Sequence, residues 1–277
     1  MARQTKEPEL DDVEGEVDAV AKLHGFDRAV AILEFVARQP SRIADITRSF
    51  GLPWATIHRT VAQLERAQFL KRDPESNRYS VGSRLWLIGS TYVADNRLVK
   101  SAQGVLEASD RREGVVAQVV ERIGLQSVVL HVHDRPGDTI AKANYGFHFD
   151  LHLASKGHVL LAAESDGFVE EYLTRERVAM TDETVTEPEA LRAIVRKVRA
   201  QGYAITIGDV QPFVASAAAP IFDGSGRAVG CLCFVTRRAV LKDPQSADEI
   251  VEQLLRAASA VSMDLGWKPA MGVALGG

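Results

Sequence analysis

Hydrophobic residues recur every three or four positions in the first third of the chain, which is the pattern of amphipathic helices. A first helix is predicted from Phe26 to Val36, with an apolar stripe formed by Phe26, Val30, Leu33 and Ala37. The following helices are expected to pack against it.

Two further helices flank the turn "FGLP" at residues 50–53. Gly51 ends the helix "IADITRSF", because glycine readily takes the left-handed conformation of a helix end. Pro53 suits the first turn of the next helix, where a missing N–H costs nothing, and that helix would extend to Gln68. Two short helices around such a turn predict a helix-turn-helix, whose second helix can enter the DNA major groove. The outward side of that second helix is predicted to carry Trp54, Ala55, Thr56 and Arg59, with His58, Thr60 and Gln63 beside them.

The segment that follows, "FLKRDPESNRYSVG" at residues 69–82, has the alternation and central polar turn of a β-hairpin. Its basic residues Lys71, Arg72 and Arg78 suit contacts with DNA phosphates, which position a protein without recognising sequence. A helix-turn-helix pattern alone is equally typical of an αα-hairpin in a globular core. The basic hairpin directly behind it favours a winged DNA-binding domain over residues 25–82.

The charge distribution agrees with this interpretation. The net charge of the chain is −4, yet residues 25–82 hold nine Lys and Arg against six Asp and Glu. Residues 1–24 hold seven acidic residues against three basic ones and are predicted to form an acidic tail. A net-positive block is what phosphate attraction requires.

Residues 83–113 are predicted to form linker helices. In the first of them Leu85, Ile88, Gly89 and Tyr92 share one face. That face could pack in a core or form a dimer contact, and the pattern alone does not decide between them.

The period of the pattern changes to two near Val115. Strands are expected at "VAQVVERI", "SVVLHVHD" and "IAKANYGF", and again at "YAITIG", "VASAAAPIF" and "AVGCLCFV"; helices are expected at "LASKGHVLLAAES", "GFVEEYLTRE", "EPEALRAIVRKVRAQG" and from Pro244 to Leu265. Helices around an antiparallel sheet predict an α+β domain over residues 114–267, large enough for a small-molecule pocket. Residues 268–277 are expected to be a flexible C-terminal tail.

Other kinds of site receive less support. "DGSGRAVG" at residues 223–230 lies between two predicted strands and favours a hairpin turn over a phosphate-binding loop. The histidines in "HVH" and "HFDLH", together with His158 and "CLC", lack zinc-finger spacing, so neither a metal nor another cofactor is expected. Cys231 and Cys233 are expected to be buried thiols and poor nucleophiles, which argues against an enzyme. The chain has neither a signal-peptide pattern nor eighteen consecutive apolar residues, so we expect a cytoplasmic protein that does not cross a membrane.

Over residues 26–267 the chain resembles the IclR family of bacterial transcriptional regulators. The matching stretches are "RAVAILEFVA", "GLPWATIHRTVAQLE", "RYSVGSRLWLIGS", "LHLASKGHVLLA", "VRAQGYAITIGD" and "AAAPIFDGSGRAVG". The resemblance implies an N-terminal winged helix-turn-helix domain, a linker helix used in dimerisation and a C-terminal GAF-like effector-binding domain. It also implies homodimers or homotetramers on palindromic double-stranded operators.

Carried over from the family, the effector-binding positions of this chain are Ser155, Lys156, Thr206, Asp209, Val214, Ser216, Cys233 and Val235. Several depart from the family pattern. Thr206 stands where an acidic residue is usual, Ser216 where cysteine is frequent, Cys233 and Val235 where small hydroxyl residues are common, and Phe213 where glycine is expected. Trp54 and Ala55 likewise replace polar or basic residues, so the operator sequence does not follow from relatives.

These departures predict a pocket less polar than one built for a small oxoacid. The expected effector is a catabolic metabolite with an aromatic or otherwise apolar body and one polar or anionic group near Ser155, Lys156 or a histidine. The sequence thus predicts a DNA-binding transcriptional regulator that responds to this metabolite. Repression, rather than activation, is the expected mode of action. A small-molecule enzyme and a protein-docking sensor module built on the C-terminal domain remain as alternatives.

Overall fold

The computed structural model describes residues 25–109, 111–135 and 146–268. The expected acidic tail, most of the C-terminal tail and residues 140–145 of the predicted strand "IAKANYGF" lie outside these ranges. The chain forms two compact units that divide between Tyr92 and Val93.

The N-terminal unit contains three helices, a two-stranded hairpin and most of a fourth helix. Their bounds are α1 Gly25–Arg38, α2 Ile43–Phe50, α3 Trp54–Arg66, β1 Leu70–Arg72, β2 Tyr79–Val81 and α4 Ser83–Asp95. Gly51 ends α2 with a φ of 61°, and Pro53 precedes the first residue of α3, so the predicted turn is confirmed. Strands β1 and β2 pair antiparallel, which confirms the wing hairpin.

One small core joins α1, α2, α3 and the wing. The predicted inward residues of α3, Ile57, Val61 and Leu64, are all buried in it. The predicted stripe of α1 is wrong, because the buried residues are Ile32 and Val36 while Phe26 is 81% exposed. Phe26 is only the second residue of α1, and the buried residues come nearly two and nearly three helical turns later.

The C-terminal unit is built on a six-stranded antiparallel sheet. Its elements are α5 Arg97–Ala108, β3 Val116–Ile123, β4 Gln126–His133, β5 His148–Asp150, α6 Ala154–Ala162, α7 Asp166–Leu173, α8 Pro188–Gln201, β6 Ala204–Ile207, β7 Val214–Phe222, β8 Ala228–Arg237, α9 Arg238–Lys242 and α10 Pro244–Asp264. The strands lie in the order β5-β4-β3-β8-β7-β6, and the expected α+β fold is confirmed.

Helices cover both faces of this sheet. Helices α5 and α10 form one core with it through residues such as Leu106 and Leu254, and α6, α7 and α8 form a second core on the other side. The expected linker therefore contains two different helices: α5 is part of the C-terminal core, whereas α4 has no buried residue.

Candidate functional site

Helix α3 presents a continuous exposed surface at its N-terminal end, opposite its buried face. Trp54 is 57% exposed, and Ala55, His58 and Arg59 are exposed with it. The indole of Trp54 stacks on the imidazole of His58, with ring centroids 4.6 Å apart and planes 24° apart. This is the part of a recognition helix that meets base edges in known complexes.

Two threonines in this stretch are less exposed than the sequence predicts. Thr56 is only half-buried, and the expectation for Thr60 is wrong, because its side chain is 4% exposed. The Thr60 hydroxyl accepts a hydrogen bond from Arg28 Nε at 3.2 Å and donates to the Thr56 carbonyl at 3.1 Å. The hydrogen bond from Arg28 to Thr60 therefore connects α1 to α3.

The three predicted phosphate-binding residues of the wing are all exposed, but two of them make contacts within the unit. Arg78 Nη1 donates to the Pro40 carbonyl at 2.8 Å, and Arg72 Nη2 donates to Asn77 Oδ1. Arg42, which precedes α2, donates from Nε to the Ser76 carbonyl at 3.1 Å. Arg42 is not among the residues predicted from sequence, since only the fold brings it to the wing turn.

The C-terminal unit contains a half-open cavity of about 120 Å³ between α6, the sheet and the loop after β6. Five of the eight expected effector residues line it, namely Lys156, Asp209, Val214, Ser216 and Val235. The other lining residues were not predicted: Gln118, Phe147, Phe149, Ala154, Val210, Gln211 and Ala215.

The remaining three expected residues, Ser155, Thr206 and Cys233, lie directly behind this wall. The Ser155 N–H donates to Thr206 Oγ1 at 3.1 Å, while the Ser155 and Ser216 hydroxyls are 2.7 Å apart. Thr206 Oγ1 is 3.1 Å from Ser216 Oγ, and Cys233 Sγ is 3.7 Å from Ser155 Oγ. These hydroxyl groups thus hydrogen-bond chiefly to one another and to the start of α6.

The start of α6 is held by Asp209. The Ala154 N–H donates to Asp209 Oδ2 at 2.7 Å, and Ala154 itself has a φ of 60°, which L-residues rarely adopt. Gly157 lets α6 approach the preceding loop, because a Cβ there would lie 2.7 Å from the Leu151 carbonyl oxygen. The backbone at the start of α6, which borders the cavity at Ala154, is therefore held in a constrained conformation.

Lys156 is the cationic group of the cavity, which the acidic residue Asp209 also lines. Its side chain is buried, its Nζ donates to Gln118 Oε1 at 3.0 Å, and it lies 5.1 Å from the centroid of the Phe149 ring. Burial lowers the pKa of Lys156 from its ordinary value. Among the described residues no carboxylate is hydrogen-bonded to this ammonium, so an anion in the cavity would gain a buried cation as its partner.

Two aromatic rings form the apolar part of the wall. Phe147 and Phe149 meet edge to face with centroids 4.8 Å apart, and Val214 and Val235 line the cavity as well. Such a site suits an apolar body with one anionic group.

The nearby histidines serve structural roles. His152 Nε2 donates to the Val178 carbonyl at 3.0 Å and its Nδ1 is 2.9 Å from the Tyr172 hydroxyl, while His158 Nε2 donates to the His152 carbonyl at 2.9 Å. Burial raises the pKa of Tyr172 to about 12 and lowers that of His158. Neither histidine lines the cavity.

Cys231 and Cys233 are free and fully buried, and burial raises the pKa of both thiols. "DGSGRAVG" forms the predicted hairpin turn between β7 and β8.

In the described part of the chain no group of three His, Cys, Asp or Glu side chains could hold a metal ion. None of the helices described combines the length and the apolar character needed to traverse a bilayer.

The four expected dimerisation residues lie on α4. Leu85 is half-buried and Ile88, Gly89 and Tyr92 are exposed. Trp86 and Leu87, which the sequence analysis did not include, are 73% and 69% exposed. The apolar surface of α4 is therefore wider than one stripe.

Both units match known protein families in sequence. The family model for the IclR helix-turn-helix domain matches residues 26–74, and the model for the C-terminal part of the bacterial transcriptional regulator IclR matches residues 90–263. The glycerol operon regulatory protein of Streptomyces coelicolor is 30% identical over 249 residues, which cover 88% of this chain and 97% of that protein. The HTH-type transcriptional regulator XynR of Escherichia coli is 26% identical, with 88% and 98% covered.

Solved structures share the fold. A putative IclR transcriptional regulator from Silicibacter sp. superposes with a TM-score of 0.76 at 23% identity, covering 88% of this chain and 96% of that one. An IclR homologue from Microbacterium hydrocarbonoxydans, crystallised with 4-hydroxybenzoate, gives 0.66 at 24% identity, with 91% and 98% covered. The matched family models and these relatives are transcriptional regulators rather than enzymes. The chain thus belongs to the IclR family of bacterial transcriptional regulators and binds DNA through its helix-turn-helix domain.

Proposed function

We propose that the protein is an effector-controlled repressor of a catabolic operon, with an aromatic or partly apolar carboxylic acid as effector. The observation that carries the effector class is the buried ammonium of Lys156 beside the Phe149 ring, in a cavity otherwise lined largely by apolar side chains. A carboxylate bonded to Lys156 would satisfy this charge, and its ring would pack against Phe147 and Phe149.

Two comparisons support the proposal. A structural neighbour carries 4-hydroxybenzoate, which has an aromatic body and one carboxylate. A relative from Salmonella typhi that is 24% identical is named a transcriptional repressor.

The DNA-binding part of the proposal assigns separate roles to α3 and the wing. Helix α3 would meet base edges through Trp54, Ala55, Thr56, His58 and Arg59. Lys71, Arg72 and Arg78 would hold the phosphates. Arg59 is exposed and can contact a guanine with two hydrogen bonds.

We further infer a homodimer or homotetramer on a palindromic operator. An exposed apolar helix of this kind favours self-association, and Leu85, Ile88, Gly89 and Tyr92 on α4 are the proposed contact. A two-fold symmetric protein requires a two-fold symmetric site. We also infer a cytoplasmic protein, because the proposed operator lies in the bacterial chromosome. The sheet with helices on both faces is consistent with a GAF-like sensory domain.

The test of this proposal is a titration of the full chain against duplexes from its own upstream region, followed by footprinting of the bound fragment. We expect a protected palindrome, and Arg59→Ala should weaken its binding by about 1–3 kcal/mol. Arg256→Ala, which removes an exposed arginine of α10, serves as control and should bind as the wild type does. A chain that binds no fragment more tightly than bulk DNA would refute the proposal.

A further inference from the structure

We propose that Trp54, supported by His58, recognises thymine methyl groups in the operator. The inference rests on the proposed contact between α3 and base edges, and it names the feature of the base pairs that the first turn of α3 selects.

The first observation is the exposure of a large apolar ring at the start of α3. The Trp54 side chain is 57% exposed, although burial of an indole in the small core of this unit would stabilise the fold. Ile57, Val61 and Leu64 already fill the inward side of α3. The position of Trp54 therefore contributes little to the packing of its own unit.

The second observation is that the indole is supported on one side. His58 lies one helical turn after Trp54, and its ring stacks on the indole at 4.6 Å with an interplanar angle of 24°. Stacking restricts the side-chain rotamers of Trp54, so less conformational entropy remains to be lost on binding. The opposite face and the edge of the indole remain for a partner.

The third observation is the chemistry of the neighbouring residues. The first turn of α3 consists of Trp54, Ala55 and Thr56 and contains no charged side chain; the first cation on this helix is Arg59. In the major groove the other exposed base edges offer hydrogen-bond donors and acceptors, whereas thymine presents an apolar C5-methyl group. An uncharged first turn with an exposed indole, followed by arginine, therefore fits a half-site that contains both thymine and guanine.

A competing placement for Trp54 is the sugar–phosphate backbone, where the indole N–H would donate to a phosphate. That contact carries no sequence information. The two placements differ in their dependence on the methyl group, and this difference decides the experiment.

The experiment starts with selection of tight sites from a random-core duplex library by the full-length wild-type chain. Thymidine is then replaced by deoxyuridine, one position at a time, in the best selected duplex. This change removes one methyl group and leaves every hydrogen-bonding group in place. We expect one or two positions in each half-site where wild-type affinity falls about fourfold, the effect of losing one buried methyl group.

The Trp54→Ala variant should bind the thymidine and deoxyuridine duplexes equally well at those positions, while it retains its dependence on guanine. Phe213→Ala removes another exposed aromatic side chain, 84% exposed in the C-terminal unit, and should keep the wild-type response to deoxyuridine. His58→Ala should reduce the thymine dependence, and His58→Phe, which restores a stacking ring, should recover it. Thermal melts of the variants would verify that the N-terminal unit remains folded.

Three results would overturn the inference. Wild-type binding that is indifferent to deoxyuridine at every position would remove the methyl contact, with the DNA-binding proposal intact. A Trp54→Ala variant that is weaker on all duplexes but equally sensitive to deoxyuridine would assign Trp54 to the backbone. Failure of the wild-type chain to select any site would refute the DNA-binding proposal itself.

Discussion

At the residue scale, Lys156 is the side chain whose burial is hardest to explain by folding alone. Its ammonium is withdrawn from water and bonded to the neutral carboxamide of Gln118. Withdrawing a charge from water costs several kcal/mol unless a partner compensates. The protein therefore carries in its cavity a charge that a bound anion would stabilise.

Lys156→Met should have opposite effects on stability and on binding. Methionine has a similar length and no charge, so the variant should unfold at the same or a higher urea concentration than the wild type. Its affinity for an aromatic monocarboxylate such as 4-hydroxybenzoate should fall by about 1.5–3 kcal/mol, because a charge-assisted hydrogen bond is lost. Calorimetric titration measures the affinity, and Lys242→Met, at an exposed lysine, is the matched control. Unchanged acid binding in Lys156→Met would contradict the assignment.

The pH dependence of stability offers a second check on Lys156. Burial lowers the pKa of Lys156 from its ordinary 10.5 in the folded chain. Between the lowered pKa and 10.5 the unfolded chain binds a proton that the folded chain has lost, so the free energy of unfolding rises with pH in this window. Below the window the destabilisation is fully present. The stability difference in favour of Lys156→Met should therefore shrink as urea titrations approach pH 10.5, and a constant difference would contradict the explanation.

Asp209 supports the cavity in a different way. Its carboxylate accepts from the Ala154 N–H, which begins α6 in the left-handed region. Asp209→Ala should destabilise the C-terminal unit by about 1–3 kcal/mol, because a buried N–H loses its acceptor. Asp209→Asn keeps an acceptor oxygen and should lose less. Equal unfolding midpoints for the two variants would argue against this role.

At the scale of elements, the parts predicted correctly are those that local pattern determines. Gly51 and Pro53 fix the turn between α2 and α3, and the three- and four-residue spacing of Ile57, Val61 and Leu64 fixes the buried side of α3. The stripe of α1 was wrong because several of its residues are apolar, so its sequence allowed more than one buried face. Only contacts such as the edge-to-face packing of Phe35 on Phe50 identify the true one.

The cavity could be predicted only in part for a related reason. The resemblance to a family supplied Lys156, Asp209 and Ser216, which line the cavity. Gln118 and Phe149 come from distant strands, and they reach the cavity through strand order and register. Neither spacing nor composition indicates such contacts between distant segments.

Helix α4 has an exposed apolar surface, which is the proposed contact between subunits. Ile88→Glu should weaken self-association, since a charge in an apolar interface must be desolvated. The unfolding midpoint of the N-terminal unit should change little, because Ile88 is 51% exposed. Sedimentation velocity over a concentration series measures the effect, with Ala94→Glu, an exposed residue about half a turn away from the stripe, as control. An unchanged association constant for Ile88→Glu would exclude this face of α4 as the contact.

At the scale of the whole molecule, the two units perform separable tasks on one chain. The N-terminal unit binds DNA, and the C-terminal unit contains the cavity in which the effector is proposed to bind. Helix α4 joins the two units along the chain and is the proposed contact between subunits. An effector changes DNA affinity only if it binds two arrangements of the protein with different affinity.

The most direct test of the account is the affinity for the footprinted operator, measured by fluorescence anisotropy at fixed salt with and without a saturating aromatic monocarboxylate. The wild-type chain should show a change of about 5- to 150-fold in its dissociation constant, the usual range of such couplings. Lys156→Met should bind the same operator with unaltered basal affinity and respond only to much higher acid concentrations. An operator affinity that no aromatic acid alters in the wild type, or a full response in Lys156→Met at the wild-type acid concentration, would contradict the account.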